Sequence, residues 1–195
     1  FIIAEAGVNH NGSVTLAKKL IDEASRCGAD AVKFQSFVTE EIILPNAPKS
    51  TYHIETTGED NKQSWTELLK TQEMSKKMHS DLIEYCKKKK IIFLSTPYDE
   101  KSSDLLDNFG IPAFKIASSD NNNHQLLKYI AKKNKPIILS TAMSSEEEVC
   151  TSMNFLSKVG AKEIVLMQCT GSYPTELQDS NLNIIKKYKK LFKNK

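Results

Sequence analysis

Charged and amide side chains stand inside stretches that otherwise read as buried strands. Glu5 lies in FIIAEAG (Phe1–Gly7), Lys33 and Gln35 in AVKFQSF (Ala31–Phe37), and Lys115 in AFKIA (Ala113–Ala117). Burying a charge in an apolar strand is costly unless the charge is paired or serves a ligand. Hydroxyls mark the ends of similar runs: Thr96 in IIFLSTP, Ser118 just after AFKIA, and Ser140 in PIILS. Two lysines, several hydroxyls and adjoining helix N-termini suit a phosphate or a carboxylate. Strand alternation puts Glu5 on the face of Ile3, and Lys33 on the face of Gln35. A glutamate beside cations stays ionised and can orient a water or take a proton. For any one residue the plain alternative is a solvated loop start; repetition over five strand ends argues against that for the set. His10, in the first turn, is open between a metal ligand or base and an ordinary turn residue. His124 opens a helix and reads as exposed, and His53 and His79 read as surface residues. Tyr173-Pro174 either floors a sugar pocket or packs as a turn.

The elements that must position these residues alternate. Strand-like runs at Phe1–Gly7, Ala31–Phe37, Ile91–Pro97, Ala113–Ala117, Pro136–Ser140 and Glu163–Cys169 are each followed by a helical pattern. The first helix, Val14 to Cys27, repeats apolar residues at Leu16, Leu20, Ile21 and Ala24, with Ser13 or Asn11 as its cap and Gly28 as its stop. Further helices are expected at Ser75–Lys90 (apolar stripe Met78, Leu82, Ile83, Tyr85, Cys86), Asp99–Phe109, Asn123–Lys133, from a Ser144 or Ser145 cap to Val159, and at Asn181–Phe192. A short one is expected near Trp65–Leu69. Val38 to about Ser64 reads as a long irregular section, the kind that is functional or mobile.

Six βα repeats with strands apolar on both faces predict a parallel sheet covered by helices. A doubly wound open sheet and a (β/α)8 barrel both fit, the barrel being present as about six of its eight units. No GxGxxG follows the first strand, which weakens the dinucleotide reading. Polar residues at nearly every strand end favour the barrel, where all βα loops face one site.

The chain has 195 residues, of which 39% are hydrophobic and 26% charged. A net charge of +3, from 27 basic and 24 acidic residues, argues for neither nucleic acid nor membrane as a partner. No apolar run approaches the ~20 residues of a membrane span, and no secretory leader is recognisable. The lysines at Lys87–Lys90 and Lys186–Lys195 read as solvated helix ends. Cys27, Cys86, Cys150 and Cys169 have no metal-site spacing; Cys27 and Cys86 should pack as small apolar residues, and a reduced, cytoplasmic setting is expected. The chain opens at Phe1, directly in a strand, so its natural N-terminus is expected upstream.

The stretches IIAEAGVNHNGS, VKFQSF, STPYD, FKIASSDNNN, KPIILSTAMS and QCTGSYPT, in this order and spacing, resemble the sialic acid synthase family, which includes N-acetylneuraminate, legionaminate and pseudaminate synthases. The resemblance covers nearly the whole chain apart from 38–64. It implies a (β/α)8 barrel that condenses phosphoenolpyruvate with an N-acetylated hexose such as N-acetylmannosamine, assisted by Mn2+ or Mg2+. Water attacks C2 of the enolpyruvate, and C–O cleavage releases phosphate. By the same resemblance Lys33, Thr96, Lys115, Ser118 and Ser140 match donor-binding positions, Gln35, Asp120 and Tyr173 match sugar-contacting positions, and Glu5 matches the catalytic glutamate. Many bacterial relatives have Glu at the position of Asp120, and Gly171 stands where some have a phosphate-contacting Asn. No metal ligand is assigned here: the family's two histidines belong to strands seven and eight and, like its antifreeze-like domain and the homodimer contact that domain makes, are expected beyond Lys195. Residues 1–195 are thus expected to be a partial barrel domain, inactive alone. The other readings are a non-catalytic sugar- or phosphate-binding module, against which intact Glu5, Lys33 and Lys115 argue, and a 3-deoxy-heptulosonate-type aldol synthase, which the strand-end motifs fit less well.

Overall fold

The computed structural model describes residues 1–59 and 61–193. Asp60, within the section expected to be irregular, and Asn194 and Lys195, the end of the second lysine run, lie outside the described residues. The chain divides into two compact units, Phe1–Leu105 and Leu106–Lys195.

In the first unit β1 (Ile3–Gly7), β2 (Ala31–Ser36) and β3 (Ile92–Pro97) form a parallel sheet in that order. The connections are α1 (Val14–Arg26), α2 (Thr39–Ile42), α3 (Thr51–Thr57), α4 (Trp65–Gln72) and α5 (Lys76–Lys89). Of the two candidate caps of α1, Ser13 is the one used: its Oγ accepts the Leu16 N–H. One face of α1 buries Ala17, Ile21 and Ala24. It packs against α5, which buries Met78, His79, Leu82 and Cys86. Asp22 accepts from the Tyr85 hydroxyl and pairs with Lys89 at 2.6 Å, tying the two helices together at the surface. Cys27 is exposed at the end of α1, contrary to the packed position expected. It falls at the cap, where the chain has already turned away from the buried stripe.

Residues 38–64 are not irregular throughout. α2 and α3 lie within them, and Ser64 caps α4 by a reciprocal capping box with Glu67. These helices are only 4 and 7 residues long, too short to show a 3.6-residue period in sequence. Side chains tie α2 to α4. The Glu73 carboxylate accepts from the Thr39 N–H at 3.0 Å and from its hydroxyl at 2.8 Å, and Lys70 pairs with Glu40 at 2.6 Å. Buried Lys49 donates to the Gly58 carbonyl. The turn before α1 meets α4 at Gly12, whose φ is +73°. A Cβ there would lie 2.5 Å from the Thr71 carbonyl oxygen.

In the second unit β4 (Phe114–Ile116), β5 (Ile137–Ser140) and β6 (Ile164–Met167) form another parallel sheet. α6 (Glu100–Asn108) leads into the unit; α7 (His124–Ala131), α8 (Glu146–Lys158) and α9 (Ile184–Leu191) complete it. Phe114, Ile116, Ile137 and Leu139 share one face of the sheet and are fully buried. α7 contributes Leu126, Leu127, Ile130 and Ala131 to the core, and α8 contributes Val149, Met153 and Leu156. Ser145, not Ser144, caps α8, in a capping box with Glu148. The strand ladders therefore give the expected parallel α/β architecture in six βα steps, as two three-stranded sheets.

Candidate functional site

Strand register assembles the first group of side chains. Glu5 lies opposite Lys33, and Gln35 opposite Thr96, so all four share one face of the first sheet. Glu5 and Lys33 form an ion pair. The Lys33 side chain is 8% exposed and that of Glu5 56%. The pair thus joins a buried cation to a solvated carboxylate, and its worth to stability is small. The register slips between Glu5 and Gly7. Gly7 holds φ at +53°, and a Cβ placed there would sit 3.7 Å from Glu5 Oε1 and 3.8 Å from Gln35 Nε2. Its backbone runs between those two side chains, in a conformation that suits glycine.

The opposite face of this sheet carries Val32, Phe34, Ser36, Phe93 and Ser95. His79 reads as a surface residue in sequence, yet it is 1% exposed and packs on this face. Its Nδ1–H donates to the Ser75 carbonyl, so its Nε2 accepts from the Ser36 hydroxyl, which in turn accepts from Ser95. Burial lowers the His79 pKa. His10 is also fully buried, beside Phe34. Its Nδ1 accepts the Gly12 N–H at 3.0 Å, which puts the proton on Nε2, a buried atom with no partner among the described residues. Burial, and next the proximity of His79, lower its pKa to about 4. His10 is therefore a neutral, inward-facing turn residue. It lacks the free lone pair a metal would need, which closes the question its sequence position left open.

In the second unit Lys115 is 7% exposed and donates to the Ile116 carbonyl at 3.0 Å and to the Ser140 hydroxyl. Cys169 Sγ approaches the same hydroxyl at 3.4 Å. Ser118 opens a 3-10 turn and accepts the Ala142 N–H at 3.0 Å, fixing the segment after β5 against the segment after β4. Asp120, at the end of that turn, accepts from Asn123; burial raises its pKa against the pull of Asn123 and Ser119. Tyr173 is 81% exposed on the loop after β6 and is not drawn into this cluster. His124 is exposed, as expected, and stacks on Phe155. Among the described residues no group of three or more His, Cys, Asp and Glu side chains is arranged to hold a metal.

One feature carries no motif in the sequence. A cavity of about 280 Å3 lies beside Gln35, lined by Val8, Phe37, Ile43, Trp65, Leu69 and Tyr98 among others. His53 also lines it, with its ring centroid 5.4 Å from that of Trp65, so it is not a plain surface residue either. The aromatic and aliphatic residues flanking the strand-end motifs were the available signal.

The model of the NeuB family matches residues 20–195. The N,N'-diacetyllegionaminic acid synthase of Campylobacter jejuni is 46% identical over 98% of this chain and 58% of its own length. The N-acetylneuraminate-9-phosphate synthase of Mus musculus is 33% identical over 98% of this chain and 52% of its own. The crystal structure of N-acetylneuraminic acid synthetase from Leptospira borgpetersenii superposes with a TM-score of 0.83 at 34% identity, covering 98% of this chain and 61% of that one. The chain spans about half the length of the curated relatives it matches. With a family match over nearly all of its length, and with the acidic, basic and hydroxyl strand-end residues in register, this chain belongs to the NeuB family.

Proposed function

We propose that the intact protein is a nonulosonic acid synthase that joins phosphoenolpyruvate to an N-acetylated hexose within a complete (β/α)8 barrel. The observation that carries this reading is the buried Lys33 held in register with Glu5, Gln35 and Thr96 on one sheet face, in a chain of the NeuB family. The donor brings a phosphate and a carboxylate, and Lys33 and Lys115 are the cations to receive them. The hydroxyls of Thr96, Ser118 and Ser140 add donors to the anionic oxygens. Gln35, Asp120 and Tyr173 are assigned to the acceptor. In the reaction, C3 of the enolpyruvate forms the new C–C bond to the acceptor's aldehyde carbon, whose oxygen gains a proton. Water adds at C2, and the C–O bond to phosphate breaks. Glu5 orients that water and takes its proton; Lys33 pairs with its carboxylate. A divalent metal, Mn2+ or Mg2+, belongs to the proposal for the intact protein. A homodimer and a cytoplasmic location complete the proposal; the described residues include no helix long and apolar enough to cross a membrane.

The test is phosphate release by the intact protein from phosphoenolpyruvate, with Mn2+ and a panel of N-acetylated hexoses, each product identified by mass. Release that depends on the sugar is expected, and Glu5→Gln should abolish it while phosphoenolpyruvate still binds. No product with any acceptor would refute the reading.

A further inference from the structure

We propose that Cys169 is a positioning residue of the donor site: its thiol donates to the Ser140 hydroxyl and so aims the hydroxyl's own proton at the anionic donor. The inference rests on the synthase reading above and adds a residue to which that reading gives no part. β5 and β6 pair in parallel, with Ser140 opposite Met167 and Lys115 opposite Ile138, so Lys115 and Ser140 share one sheet face. Cys169 follows Met167 by two positions, the period that returns a side chain to the same face, and its Sγ lies 3.4 Å from Ser140 Oγ. The residues around it hold it there. The Thr141 hydroxyl donates to the Met167 carbonyl at 2.8 Å. On either side of Cys169, the Gln168 amide donates to the Ser180 carbonyl at 3.3 Å and the Thr170 hydroxyl to the Asp179 carbonyl at 3.2 Å. The thiol itself is partly buried.

A serine hydroxyl has one proton to donate and two lone pairs with which to accept. Ser140 is 3% exposed, so water does little to satisfy it. The Lys115 ammonium, which can only donate, takes one lone pair. The Cys169 thiol takes the other. The one direction left around the oxygen is that of its own O–H, and no acceptor among the described residues receives that proton. The reverse arrangement, with Ser140 donating to sulfur, loses once an anion is bound, because a thiol sulfur is a weak acceptor and an anionic oxygen a strong one. Ser140 thus meets the ligand as a donor, with no lone pair turned toward the negative charge. Without the thiol proton the hydroxyl has two staggered directions open instead of one, which alone halves the population aimed at the ligand. The thiol also polarises the O–H that donates. Together these make the expected loss about threefold in donor affinity.

The test is calorimetric titration of the intact protein with phosphoenolpyruvate. Cys169→Ala and Cys169→Val both remove the thiol proton; the first loses volume and the second nearly keeps it, and thermal melts check that both fold. Each should raise Kd about threefold, while kcat at saturating donor stays within about twofold of wild type. In a Ser140→Ala background the same two changes should alter Kd by less than about 1.5-fold, because the hydroxyl through which they act is gone. A side chain that only fills space would instead separate Ala from Val and act equally in both backgrounds. That result, or an unchanged Kd in either single variant, overturns the role of Cys169. A wild type that neither binds phosphoenolpyruvate nor condenses it with any N-acetylated hexose overturns the synthase reading itself, and that failure is visible before any variant is made.

Discussion

Acid should unfold this protein sooner than its surface charges alone would require, and His10 is the reason. Protonating a histidine makes both ring nitrogens donors. At His10 this would break the bond in which Nδ1 accepts from Gly12, and set two N–H groups facing each other in a site with no exposure. The folded state therefore keeps the ring neutral, with a pKa of about 4 against an ordinary 6.5. The unfolded chain binds a proton that the folded chain refuses throughout this interval, so stability is full above about pH 6.5 and falls as the pH drops toward 4. At pH 5 the unfolded ring is almost wholly charged and the folded one barely so; the loss relative to pH 7 is about 2 kcal/mol, and it approaches about 3 kcal/mol near pH 4. His79, whose pKa is lowered by burial, adds to the loss in the same direction. Urea unfolding of the intact protein at pH 7 and pH 5 measures it. With a slope of about 2 kcal/mol per M, the midpoint should fall by about 1 M. His10→Asn is the control, because an Asn side chain can accept the same Gly12 N–H two residues on but does not titrate. The variant starts less stable, having lost ring contact with Phe34, but its midpoint should shift much less between the two pH values. An equal shift in wild type and variant would refute the argument.

Other consequences are simpler to test. Lys115→Ala should weaken phosphoenolpyruvate binding about tenfold or more, through loss of a charge-assisted bond of ~1.5–3 kcal/mol; calorimetric titration of the intact protein decides it, and unchanged affinity removes Lys115 from the site. Ser145→Ala breaks the capping box that opens α8 and should cost about 1 kcal/mol, read as a lower melting temperature; a melt identical to wild type would show that the cap contributes nothing. At pH 8 a disulfide reagent should modify exposed Cys27 within the native protein but leave Cys86, whose thiol burial pushes up to about 12, unreacted until urea is added; native labelling of Cys86 would contradict its packing.

The strands were legible because six apolar runs bounded by turns are hard to read otherwise, and their limits differ from expectation by only a residue or two. The candidate residues were legible for the opposite reason: Glu5, Lys33 and Lys115 violate those runs, and a violation inside a strand calls for a partner. What escaped was everything that depends on a neighbour distant in sequence. His79 follows Lys76 and Lys77 and looks solvated, but Ser36 and Ser95, polar residues on an otherwise apolar sheet face, draw it inward. The cavity escaped because its far wall is made of short helices held by capping and ion pairs, which leave little hydrophobic period to detect. Tyr173 shows the limit from the other side: its position matches a sugar-contacting one by resemblance, yet in this chain it is 81% exposed.

The close approach of Gly12 to Thr71 also bears on how such chains can diverge. The first turn and the fourth helix are 59 residues apart in sequence, by the numbering of Gly12 and Thr71, yet one atom added to the former would overlap the backbone of the latter. A lineage that keeps the helix where it is has only glycine open to it at position 12. A lineage that acquires any larger residue there must first have shifted the helix, and with it the wall that Trp65 and Leu69 supply. Position 12 thus serves as a marker, readable from sequence alone, for whether a relative has inherited this wall or rebuilt it.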